Sequence, residues 1–96
     1  MAAYILAQVE VKNPEGYEDY KALAPASIEK YGGKYLTRGG TVEALEGTGP
    51  GRRVVLLEFA DMEAAKAFYY SPEYQEAAKI RQANSEGSFW LLEGLE

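Results

Sequence analysis

In AYILAQVEV, Ala3 to Val11, Ile5, Ala7, Val9 and Val11 alternate with Tyr4, Leu6, Gln8 and Glu10, the period of a strand with two unlike faces. The wholly aliphatic set is the one expected to face helices. The period then changes. Asn13-Pro14 is a helix start, with Asn as N-cap and Pro at the first helical position, where no hydrogen bond is lost. Tyr17, Tyr20, Ala24, Ile28 and Tyr31 fall on one face of that helix. Pro25 removes one backbone bond inside it, so a kink or two abutting helices is expected near Leu23. Gly32-Gly33 ends the run.

A second strand is predicted over Lys34 to Arg38. Gly39-Gly40 then suits a bulge or a close approach before Thr41 to Leu45 continues the strand. Gly47 to Gly51, GTGPG, reads as a hairpin connection; it lacks the GK[ST] and following helix that a phosphate cradle needs. The third strand puts Val55, Leu57 and Phe59 on one face and Val54, Leu56 and Glu58 on the other. Asp61 caps a helix that packs through Ala64, Ala65 and Phe68. Ser71-Pro72 repeats the cap signal, so the segment bends and a further helix begins, with Tyr74, Ala77, Ala78 and Arg81 on one side. Gly87 to Glu93 closes the chain as a fourth strand, Phe89 and Leu91 opposite Trp90 and Leu92.

The order β-α-β-β-α-β assembles as an α+β, ferredoxin-like fold: a four-stranded antiparallel sheet with its helices on one face, a single domain over residues 1–96. The other face then carries Tyr4, Leu6, Leu36, Val54, Leu56 and Trp90. That apolar area exceeds the roughly 300–600 Å² patch of a typical monomer. A homodimer is therefore expected, two sheets packed face to face as a dimeric α/β barrel.

Composition narrows the chemistry. A net charge of −5 with scattered Lys and Arg argues against a nucleic-acid partner. The amino terminus has no basic leader, and no apolar run approaches the roughly 20 residues of a membrane span, so no membrane partner and a cytoplasmic location are expected. The absence of Cys and His removes disulfides, thiolate nucleophiles, histidine bases and the usual zinc sites, and no metal or cofactor is expected.

The polar residues on the open face need partners if that face is buried. Arg38 shares strand parity with Leu36, and Glu58 with Leu56, so pairing of the second and third strands brings guanidinium and carboxylate within reach. One reading is a structural ion pair. The other has Arg38 offer its fork to a carboxylate, phosphate or enolate while Glu58 orients it or moves a proton. Tyr69, Tyr70 and Tyr74 surround the Ser71 cap, where a helix N-terminus attracts anions, although capping alone explains Ser71 equally well. Arg81 lies two turns beyond Tyr74 and either covers the same surface or neutralises Glu76 and Glu86.

GGKYLTRGG, LEFADMEAAKAFYYSPEYQEAAKIR and the terminal LLEG together resemble the uncharacterised family called domain of unknown function thirteen-thirty, among the dimeric α/β-barrel proteins. The resemblance covers nearly the whole chain. It implies a pocket between sheet and helices lined at Arg38 and Glu58, with Ser71, Tyr74 and Arg81 in the second-helix motif. Members often carry a tryptophan where this chain has Phe68 before Tyr69. Proteins with this barrel include cofactor-free monooxygenases, muconolactone isomerases and haem-using peroxidases, so the fold assigns no chemistry.

The leading expectation is a homodimer binding a small anionic metabolite, aromatic or carboxylate, with Arg38 on the anion, Glu58 holding Arg38, and Tyr4, Leu56 and Trp90 as apolar wall. An alternative is a cofactor-independent monooxygenase or isomerase in which Glu58 or Tyr35 abstracts a proton and Arg38 stabilises the enolate. A third is a dimeric scaffold with no ligand.

Overall fold

The computed structural model describes residues 1–95; Glu96, the last residue of the expected domain, lies outside the described residues. The elements are β1 (Ala3–Val11), α1 (Pro14–Lys30), β2 (Lys34–Arg38), β3 (Arg53–Phe59), α2 (Met62–Tyr69), α3 (Pro72–Asn84) and β4 (Ser85–Glu93). The strands form one antiparallel sheet in the order β2-β3-β1-β4, the ferredoxin-like arrangement. No helix among the described residues is long and apolar enough to cross a membrane.

Alternation decides the layers. Ala3, Ile5, Ala7 and Val9 are buried under the helices, and in register with them lie Leu57 and Phe59 of β3 and Phe89 and Leu91 of β4. Ala24 and Ile28 of α1, Ala65 and Phe68 of α2, and Tyr74, Ala77 and Ala78 of α3 complete this core. The alanines let α1 and α3 lie close, and packed aromatic rings fill the centre. Phe59 and Phe68 have centroids 5.2 Å apart, and Phe68 and Tyr74 4.4 Å. Among the described residues no helix lies on the opposite face of the sheet, with Tyr4, Leu6, Val54, Leu56, Trp90 and Leu92.

The helix starts follow their caps. The Asp61 carboxylate accepts from the Ala64 N–H at 2.8 Å, and Ser71 Oγ accepts from the Tyr74 N–H at 3.1 Å, so the segment divides at Ser71. Asn13 keeps the backbone role of an N-cap, but its side chain donates to Asn84 Oδ1 at 3.0 Å, joining the start of α1 to the end of α3. Of the two alternatives expected near Leu23, abutting helices are not found: α1 is one helix from Pro14 to Lys30 with Pro25 inside it. Ala24, Ser27 and Ile28 are buried on either side of the proline, and Ser27 Oγ donates to the Ala24 carbonyl at 3.0 Å. Packing thus holds the helix across the one missing bond.

The second strand also departs from expectation. It stops at Arg38, and Thr41 to Leu45 form no strand; Leu45 is 93% exposed. The segment it would pair with contains Gly47, Gly49, Pro50 and Gly51, which cannot supply a ladder. The bulge falls inside the strand instead of at the glycines. Tyr35 pairs with Leu57, but Leu36 and Thr37 together oppose Leu56, and Arg38 comes to lie opposite Val55.

Candidate functional site

That extra residue decides where the arginine points. Partners across a ladder share a face, so Arg38 opposite Val55 and Tyr35 opposite Leu57 both lie on the helix-facing side. Arg53, at the start of β3, has the parity of Val55 and Leu57 and joins them. Between these residues, Tyr17 and Tyr20 of α1, and Phe89 of β4 is a hollow of about 30 Å³. By that measure it takes about two waters. Gly39, at φ 70°, turns the chain away beside it; a Cβ there would lie 2.9 Å from the Arg53 guanidinium.

The charge of the hollow is one-sided. Lys21, Arg38 and Arg53 line it, and no carboxylate does. Among the described residues every ion pair is made by a lysine: Lys12 with Glu10 and Glu86, Lys21 with Glu18, Lys30 with Glu73, and Lys34 with Glu58. Arg38, Arg53 and Arg81 make none, and the buried Nε–H groups of Arg53 and Arg81 have no acceptor. Arg38 is exposed to water, so the groups left without a partner are the buried Nε–H groups of Arg53 and Arg81.

The tyrosines answer to the same balance. Burial pushes the Tyr17 phenol up from its ordinary value, while Arg53, Arg81 and Arg38 pull it back. Tyr35 is likewise raised by burial and drawn down by Arg38 and Arg53; its ring lies 4.7 Å from the Arg38 guanidinium carbon. Deeper in, the Tyr20 and Tyr74 hydroxyls are 2.8 Å apart, and burial raises both phenols. All are neutral donors near pH 7.

The structure divides the expected site. The pairing of Arg38 with Glu58 is corrected: the bulge at Leu36 puts them on opposite faces, and Glu58 pairs with Lys34 at 3.1 Å. Tyr4, Leu56 and Trp90 lie on the open face with Glu58, so they do not wall the Arg38 hollow. Ser71 is buried with its hydroxyl occupied, accepting from Tyr74 and donating to the Phe68 carbonyl at 2.7 Å. Tyr74 is a core side chain that reaches the site through Tyr20 and Phe68, and Arg81 is buried behind it, 6.0 Å from the Tyr20 ring centroid. Tyr35 and Arg38 do come together, with Tyr17, Tyr20 and Arg53, which were not singled out for the site. Parity with Val55 was the available signal for Arg53. Among the described residues no group of three or more His, Cys, Asp or Glu is placed to hold a metal ion.

The ferredoxin-like fold and this sheet-and-helix hollow define the class, and the sequence then defines the family. Residues 2–95 match the family described as Domain of unknown function (DUF1330), and the chain belongs to it. No curated protein matches. A protein of unknown function from Rhodopseudomonas palustris, RPA0582, is similar in structure, with a TM-score of 0.79, 23% identity, and coverage of 99% of this chain and 83% of that one. SnoaB from Streptomyces nogalater, a cofactor-independent oxygenase, aligns with a TM-score of 0.65 at 14% identity, over 99% of this chain and 94% of its own. A conserved protein from Methanosarcina mazei Go1 aligns with a TM-score of 0.63 at 19% identity, covering 99% and 94%. At these identities the likeness is one of fold.

Proposed function

We propose that the protein binds a small organic anion, an aromatic carboxylate or phenolate, with its charged group between Arg38 and Arg53 and its ring toward Tyr35 and Tyr17. One observation carries this: Arg38 and Arg53 converge on an aromatic hollow that holds no carboxylate. Neutral phenols such as Tyr17 and Tyr35 can donate to an anion, and the arginines beside them set its sign. The hollow admits only water-sized groups, so a ring enters only as the side chains that line it move apart.

The test is thermal unfolding against a panel of benzoates and phenolates, with Arg38→Ala and Arg53→Ala alongside. A ligand at 100 times its Kd adds about 2.7 kcal/mol, and both variants should lose that gain while remaining folded. Equal gains in the variants would sink the proposal.

The likeness to an oxygenase that uses no cofactor favours a second reading, in which the anion bound at Arg38 is also turned over. Tyr35, raised by burial, would then serve as a hydrogen-bond donor to the developing enolate and not as the base. Oxygen uptake on adding a bound phenolate supports it, and binding without uptake leaves a carrier.

The same proposal includes a homodimer formed through the open face. Leu36, Trp90 and Leu92 are 43–47% exposed there, an apolar surface that a second sheet would cover.

A further inference from the structure

Arg81 is on the last turn of α3 with 6% of its surface exposed. Its guanidinium carbon lies 4.0 Å from the centroid of the Phe89 ring. With Tyr69, Gln82, Ser85 and Glu86 it lines a separate hollow of about 420 Å³ beside β4, and Phe89 lines both this hollow and the Arg38–Arg53 one. The volume is within the roughly 300–1,000 Å³ of small-molecule sites.

A buried cation without a counter-ion is destabilising. The chain has 15 acidic residues, so the missing partner does not reflect a lack of acids. Glu86, the carboxylate that lines this hollow, has a 68% exposed side chain and lies 4.0 Å from Lys12, not paired with Arg81. The Ser85 hydroxyl is engaged, donating to the Arg81 carbonyl at 2.6 Å. Phe89 covers the face of the guanidinium, while its Nε–H, in the guanidinium plane, is left without an acceptor. The aromatic walls are Tyr69 and Phe89, with ring centroids 6.2 Å apart. Glu86 at the rim disfavours multiply charged ligands.

We propose that this hollow is a second anion site, in which Arg81 takes the carboxylate of an aromatic monocarboxylic acid whose ring lies against Tyr69 and Phe89. It rests on Arg81 and not on the Arg38–Arg53 hollow. The test titrates the full, isotope-labelled chain with benzoate and follows the Nε–H resonances of Arg81 and Arg53 separately. The Arg81 resonance should shift and saturate, and should do so in Arg53→Ala as well. Gln82→Glu, an isosteric exchange at an exposed residue of the hollow, adds a second carboxylate to its lining. It should weaken benzoate at this site by about tenfold or more, the equivalent of one charge-assisted hydrogen bond. An Arg81 resonance that drifts without saturating, or undiminished affinity in Gln82→Glu, would overturn the proposal. A silent Arg53 resonance beside a saturating Arg81 one would remove the first site and leave the second standing.

Discussion

Glu58 and Tyr20 show how much one side chain's surroundings decide. Glu58 pairs with Lys34 on the open face, away from the hollow, so Glu58→Gln should leave anion-dependent stabilisation unchanged while Arg53→Ala abolishes it. Thermal unfolding with and without benzoate measures both; a response lost in Glu58→Gln would contradict the placement of the site. Tyr20 and Tyr74 are raised by burial above the ordinary phenol value of 10.0. Below that pH both states hold the proton, and stability is at its plateau. As pH rises past about 10 the unfolded chain ionises while the folded one does not, so stability must fall. Tyr20→Phe should flatten that alkaline decline in a series of urea unfolding curves, and an equally steep decline would mean the phenol is not protected.

Among the elements, β2 and β4 carry the sharpest expectations. Leu36 and Thr37 share one partner, so deleting Leu36 restores a regular ladder without moving Arg38 from the helix side. The deletion variant should fold and keep its benzoate response; loss of the response would show that the bulge holds Arg38 in some other way. In β4, a Cβ at Gly87 would collide with the Gln8 carbonyl and lie 3.0 Å from Val9 Cα, because the two strands approach closely at Gly87 and Val9. Gly87→Ala should therefore destabilise by roughly 1–3 kcal/mol in urea unfolding. Most of this level was legible beforehand: the Ser71 break, the α3 face of Tyr74, Ala77, Ala78 and Arg81, and the two faces of β4 all follow from caps and period. Where the reading failed, at Thr41 to Leu45, a missing partner strand overrode a local signal.

For the molecule as a whole, the uncovered sheet face is the main consequence of the fold. Leu6 lies opposite Leu56 on one side and Trp90 on the other, at the middle of that face. If two copies pair through it, the protein should sediment as a dimer and Leu6→Glu as a monomer, since a carboxylate buried between sheets has nothing to pair with. A monomeric parent would remove the pairing from the proposed function without touching the Arg38–Arg53 hollow, which one chain builds alone.

The sequence by itself determined the order of elements, the Asp61 and Ser71 caps and the faces of β1, β3 and β4, because those depend on local dihedral preference and on periods of 2 and 3.6 residues. It also named Arg38 and Tyr35. Only the tertiary structure decided which face Arg38 uses, that Arg53 joins it, and that Arg81 is buried without an acid. A bulge is set by the fit of one strand to its neighbour, and a missing partner is a property of everything around a side chain. Neither is written in the spacing of residues along the chain.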